Sequence, residues 1–159
     1  MLEIKIDEKD KEILRILQSN CRMSTKAIAN KLNMPVTTLY SKIKRLEHLK
    51  VIKAYNAILD KKKLGKGVTA FLLVSFYYKN KERGNVAHHE LAEKIARFPE
   101  VQEVHFISGN WDILVKIVVE SVDAVGKFVI ERLRTLEGVE KSITMVVFDS
   151  KKETLEINI

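Results

Sequence analysis

The sequence predicts an α+β chain, an N-terminal winged helix-turn-helix followed by a C-terminal ferredoxin-like βαββαβ domain. Three observations predict it. In the first third, apolar residues recur at helical spacing in three short stretches separated by Ser, Asn and Pro breaks. In the second half the rhythm changes to β-branched and aromatic runs interleaved with two helical patterns. Charge is unevenly divided as well: residues 1–66 hold 16 of the 28 Lys and Arg but 7 of the 21 Asp and Glu. The expected organisation is a helical domain over residues 1–53, an extended strand and linker over 54–67, and the mixed domain over 68–159.

The first helix is expected to start after Asp7, which can cap free N–H groups, with Asp10 in the positive first turn. Ile13, Leu14 and Leu17 form its apolar stripe, Ile6 sits where a hydrophobic staple would, and Ser19-Asn20 marks the end. Ser24 caps a second helix over 25–32, with Ala27, Ile28 and Leu32 inward. Asn33-Met34-Pro35 is a tight turn. A third helix over 36–49 carries Leu39, Ile43 and Leu46 at i, i+4, i+7 on one face. Val51-Ile52 opens an extended stretch over 53–60. Lys61 to Gly67, with three consecutive lysines, reads as a linker whose lysines are solvated.

In the second half, 68–78 reads as a strand, 80–84 as a polar turn, and 86–98 as a helix ended by Pro99. Strands follow at 101–107 and 113–119, joined by Ser108-Gly109-Asn110-Trp111-Asp112. A helix over 121–136 stops at Gly138, and 142–148 is the last strand. This is the split βαβ order. With both helices on one face, the other face of the sheet, rich in valine and phenylalanine, needs a cover, and a second copy of the domain is the simplest one.

Several classes are disfavoured. No apolar run approaches the roughly 20 residues of a membrane span, and the N-terminus lacks an apolar signal core, so the expected location is the cytoplasm. The lone Cys21 cannot form an internal disulfide and is expected to be a small buried residue. His88 and His89 are adjacent, so on a helix they point about 100° apart, which suits no metal ion. Gly65-Lys66-Gly67 lacks the strand and the Lys-Ser/Thr ending of a phosphate loop. No catalytic set, metal site or cofactor fingerprint is found, and no enzyme is expected.

The third helix carries the chemistry. A helix that enters the major groove must be apolar behind, small and polar in front, and cationic at its flanks. Leu39, Ile43 and Leu46 supply the back. Thr37, Thr38, Tyr40 and Ser41 supply the front, and Lys42, Lys44 and Arg45 the flanks. Arg22, Ser24 and Thr25, at the start of the second helix, could hold a phosphate through free N–H groups. The expected partner is double-stranded DNA.

Specific segments resemble the Lrp/AsnC (feast/famine) transcription regulators. Residues 6–14 (IDEKDKEIL) look like the family's opening. Residues 28–32 (IANKL) and 39–47 (LYSKIKRLE), followed by 51–55 (VIKAY), are similar to its helix-turn-helix and exit strand. The GNWDIL of residues 109–114 and the GVEKSIT of 138–144 resemble its glycine–aromatic–aspartate loop and last-strand entry. The resemblance covers nearly the whole chain. It implies homodimers formed through the C-terminal sheets, often assembled into octamers, and an amino-acid effector between dimers. The positions matching that pocket are Gly109, Asn110, Trp111, Asp112, Ser142 and Thr144. This chain departs from the pattern at Pro35, where a capping serine is usual, at Asn33 for a turn glycine, and at Ile143 for a polar residue. Two other readings stay open at this level. Sirohaem decarboxylases have a similar two-domain layout but need His and Arg residues around a tetrapyrrole. A ligand-sensing partner with a vestigial DNA domain is favoured only by Pro35. Trp111 and Asp112 each also have a plain role, the one anchoring the loop and the other capping a turn.

Overall fold

The computed structural model describes residues 5–77 and 84–159. They form two compact units, one reaching to Ile58 and including Lys152–Ile159, the other Leu59–Lys151.

The first unit holds three helices, α1 (Glu8–Ser19), α2 (Thr25–Lys31) and α3 (Val36–His48). Each start has a local cause. The Asp7 side chain accepts from Asp10 N–H while the Asp10 side chain accepts from Asp7 N–H, a reciprocal capping box. Ser24 Oγ accepts from Ala27 N–H at the start of α2. Pro35, with φ −60° and ψ 139°, occupies the cap position of α3 without a side-chain bond. Asn33 takes the left-handed conformation (φ 50°) that the turn requires. Ile13, Ile28, Ala29, Leu39 and Leu46 are buried together, with Ile6, Leu17 and Ile43 packed against them. Ala29, not the expected Ala27, faces inward. Cys21 is exposed, contrary to the expectation of burial. It follows the helix end at Asn20, in a turn that carries it away from the apolar stripe.

Residues 53–60 form neither helix nor strand, so the expected wing has no strand partner among the described residues. Residues 152–159 group with the helices because Gln18 brackets the Ile157 backbone, its Nε2 donating to Ile157 O and its Oε1 accepting from Ile157 N–H. Arg15 Nε adds a bond to Ile159 O at 2.6 Å.

The second unit contains β1 (Val68–Phe76), α4 (Gly84–Ala96), β2 (Val101–Phe106), β3 (Ile113–Val119), α5 (Val122–Lys127) continued by a π-helical turn over Phe128–Leu133, and β4 (Val139–Val146). The strands form one antiparallel sheet in the order β2-β3-β1-β4. Alternate residues Ala70, Leu72, Val74 and Phe76 of β1 and Ile113, Val115, Ile117 and Val119 of β3 make a buried core with Leu91, Ile95, Val125, Phe128 and Leu133 from the helices. The opposite face presents Phe71, Leu73, Leu114, Ile143 and Met145, of which Ile143 and Met145 are exposed. The last strand starts three residues earlier than expected and ends before Phe148, which is almost wholly exposed. The polar turn expected at 80–84 lies mostly outside the described residues. His88 and His89 diverge as their adjacency requires, the first against Phe76 and the second against Phe106. Among the described residues no helix is long and apolar enough to cross a membrane.

Candidate nucleic-acid interface

The third helix is two-sided. Leu39 and Leu46 are fully buried, whereas Thr37, Thr38, Tyr40, Ser41, Lys44 and Arg45 are exposed and Lys42 is half-buried. Burial of the back fixes the rotation of the helix. The hydroxyl-bearing residues then face outward, because positions one or two away from buried Leu39 are turned about 100° or 200° around the helix. Thr37, Thr38 and Ser41 line an open depression of about 560 Å³ together with Asp7, Lys42 and Arg45.

The flanking cations do not stand alone. Asp10 is fully buried, and a buried carboxylate is tolerated only with donors around it. It has three. Asp7 N–H lies 3.0 Å from one oxygen, Arg45 Nη2 lies 2.7 Å from the same oxygen, and Lys42 Nζ lies 3.0 Å from the other. Lys42 also reaches Asp7 at 2.6 Å. The Lys42 ammonium and the Asp10 N–H together hold the Asp7 carboxyl down to about 2, and the Asp7 carboxylate in turn raises the Lys42 pKa. Lys44 donates to Glu47 at 2.8 Å and lies over the Tyr40 ring, 5.7 Å from its centroid. Glu47 also accepts from Tyr55 Oη at 3.0 Å; burial and that bond push the phenol up to about 12. Residues from three separate stretches thus set the posture of the helix front. Arg22 and Ser24 are exposed and Thr25 is half-buried at the start of α2. The Ser24 hydroxyl is occupied by its capping bond.

Asp7 and Asp10 were legible in the sequence only as capping residues. Their partners lie 32 to 35 positions away, and no spacing rule connects acids in one helix with cations in another.

In the second unit the loop between β2 and β3 and the start of β4 meet across the end of β1. Asp112 Oδ2 accepts from Phe76 N–H at 2.7 Å, and Asp112 N–H donates to Val74 O at 3.0 Å. Val74 is the register partner of Ser142, and Leu72 that of Thr144. Trp111 lies under the Lys141 ammonium, 5.5 Å from its ring centroid. Gly109 has a φ of 111°, which favours glycine. Asn110 is exposed beside it. Ser142 lines a hollow of about 300 Å³ with Arg134, Val139, Glu140 and Lys141, whereas residues 109–112 and Thr144 do not line it. The buried hydroxyl oxygen of Ser142 has no hydrogen-bond partner, the one such buried side-chain atom among the described residues. Arg134 was not singled out from the sequence, since nothing in helical spacing says that its helix ends in a π-turn facing β4.

A helix-turn-helix with an exposed hydroxyl-and-cation front, joined to a four-stranded α+β domain, defines a class of DNA-binding transcription regulators. Comparison with known proteins agrees. Residues 6–47 match the AsnC-type helix-turn-helix domain, and residues 69–157 match the Lrp/AsnC ligand-binding domain. The chain belongs to the Lrp/AsnC family of transcription regulators. It is 39% identical to an HTH-type transcriptional regulator of Pyrococcus furiosus over 94% of this chain and 97% of that one. A transcriptional regulator of Neisseria meningitidis, solved in complex with L-methionine, superposes with a TM-score of 0.89 at 25% identity, covering 97% of both chains. An AsnC-family regulator of Agrobacterium tumefaciens gives a TM-score of 0.87 at 27% identity over 96% of this chain and 97% of that one.

Proposed function

We propose that this regulator acts as a homodimer or a higher assembly of dimers, in the cytoplasm and without enzymatic activity. In this reading α3 lies in the major groove, with Thr37, Thr38, Tyr40 and Ser41 toward base edges and Lys42, Lys44, Arg45 and Arg22 toward phosphates. Ser24 and Thr25 present the start of α2 to the backbone. The single observation that carries it is the two-sidedness of α3, with Leu39 and Leu46 buried while every front hydroxyl is exposed. An amino-acid effector is assigned to the end of the sheet formed by Gly109, Asn110, Trp111, Asp112, Ser142 and Thr144. The unsatisfied Ser142 hydroxyl supports a polar ligand there, and the L-methionine bound to the Neisseria relative gives its chemical class. Bound between subunits, such a ligand shifts assembly or helix spacing only to the extent that it binds one state better.

Selection of duplexes from a random pool, followed by salt titration, tests the reading. Lys44→Ala should weaken binding to all sequences and flatten the dependence of log K on log salt by about 0.9 for each phosphate no longer neutralised. Ser41→Ala should instead alter the preferred sequence, at roughly 1–3 kcal/mol for each base edge no longer read. An unchanged salt slope for the lysine variant would remove the groove-docking assignment. A shift in the selected duplex's affinity on adding L-methionine or another amino acid supports the effector site, and no shift across the twenty amino acids removes it. The tetrapyrrole reading predicts a new visible absorption band on incubation with sirohaem, and we expect none.

A further inference from the structure

Lys42 has two anionic partners of different kinds. Asp10 is sealed in the helical core and also holds Arg45, so it cannot leave without exposing a buried charge. Asp7 is different. Its side chain is 54% exposed, it borders the depression that Thr37, Thr38 and Ser41 line, and its Oδ2 lies 2.6 Å from the Lys42 ammonium. Its other oxygen, Oδ1, serves the helix cap. One carboxylate oxygen at the rim of the proposed DNA surface therefore occupies the place beside Lys42 that a phosphate oxygen would take.

We infer that Asp7 is a specificity-determining residue, an internal stand-in for phosphate that withholds the Lys42 charge from any duplex that does not seat closely on α3. The inference rests on the proposed DNA-binding reading and adds to it how the charge of that surface is rationed. Phosphate attraction is independent of sequence, so a cation free at all times strengthens binding to every duplex alike. With Asp7 in place, a loosely held duplex gains little from Lys42, because exchanging one carboxylate for one phosphate oxygen is nearly neutral. A duplex fitted against Thr37 and Ser41 brings its phosphate close enough to displace the carboxylate. Asp7 thus trades affinity for discrimination.

Asp7→Asn tests this in the full chain, since asparagine caps a helix about as well as aspartate. Asp7→Ser keeps a cap through its hydroxyl and serves the same purpose should the asparagine variant fold poorly. Glu8→Gln makes the same change of charge one residue away, on a carboxylate paired with Lys11 and outside the depression. The probes are a duplex selected by the wild-type chain and its shuffled counterpart, titrated across a range of potassium chloride. Expected for Asp7→Asn is up to about tenfold tighter binding to the shuffled duplex, a smaller gain on the selected one, and a salt slope steeper by about 0.9 per subunit. Glu8→Gln should leave the ratio of the two affinities and the slope at wild-type values. Equal ratios and slopes for Asp7→Asn and wild type, or equal changes in Asp7→Asn and Glu8→Gln, overturn the inference while leaving the DNA reading intact. A wild-type chain that ignores both duplexes at low salt overturns the DNA reading itself and the inference with it.

Discussion

At the scale of single residues, the helical unit is organised by carboxylates. The depressed Asp7 carboxyl gives it an acid signature whose sign follows from linkage. A carboxyl held lower in the folded chain than its ordinary value near 3.8 contributes stability that is fully present above that value. The contribution disappears as the pH falls from about 4 to about 2, where the folded chain also takes up the proton. Asp7→Asn has no such proton to take up. The wild-type chain should therefore lose thermal stability relative to Asp7→Asn across that window, while above pH 5 the gap between their melting temperatures stays constant. Melting curves of both proteins between pH 6 and 2, followed by circular dichroism, check it, and a gap that does not change would contradict the Lys42–Asp7 pairing. Front residues Thr37, Thr38, Tyr40 and Ser41 could be read directly from the sequence, because buried Leu39 and Leu46 leave a helix only one way to turn. The ion pairs that hold Lys42 and Arg45 could not, because they join residues brought together only by the packing of α1 on α3.

At the scale of elements, periodicity located every helix and strand among the described residues, while their ends depended on local chemistry that the pattern does not encode. The strand over 113–119 was readable to the residue because polar residues flank an apolar run that only Lys116 interrupts. The second helix of the mixed unit was not, since 3.6-residue spacing cannot distinguish i→i+4 from i→i+5 bonding, and Phe128–Leu133 takes the latter. Two glycines next to this region make opposite predictions. Gly126 lies inside α5, with open space where a Cβ would go. Alanine there relieves a helix of its most flexible residue, so Gly126→Ala should stabilise the chain by about 0.5–1 kcal/mol. Gly138 has a φ of 102°, and a Cβ on it would stand 3.2 Å from Leu91 Cδ2 in the core. Gly138→Ala should therefore cost about 1–2 kcal/mol from the backbone alone, with the displaced leucine adding to it. Urea unfolding midpoints moving in opposite directions is the expected result. A shared direction would mean that the β4 entry is not held as described.

At the scale of the whole molecule, no described residue of the second unit covers the sheet face turned away from its helices. Phe71, Leu73 and Leu114 are half-buried on that face, beside the exposed Ile143 and Met145. In a lone chain these side chains meet water, an apolar patch of the kind that marks an association surface. Toward its other side the same face carries Glu103 and His105, with Lys116 Nζ 3.0 Å from Glu103 Oε1 and His105 Nε2 3.3 Å from Glu103 Oε2. Lys116 is already nearly buried, so this ion pair sits beside the apolar patch without needing a partner chain to neutralise it. Such a patch beside a compensated polar cluster fits a second copy applied about a two-fold axis, since an isologous contact places apolar against apolar and the paired charges off the centre. We expect the chain to run as a dimer or a multiple of it in light scattering coupled to gel filtration. Leu73→Glu should shift it toward monomer, because Leu73 lies on the central strand β1, opposite Leu114 on one side and Ile143 on the other, and a carboxylate there would be desolvated without a partner. The substitution should leave the fold of each chain largely intact, as Leu73 is not part of the core between sheet and helices. A wild-type chain that stays monomeric at tens of micromolar, or a Leu73→Glu variant with unchanged mass, would mean that this face is covered by something other than its own kind.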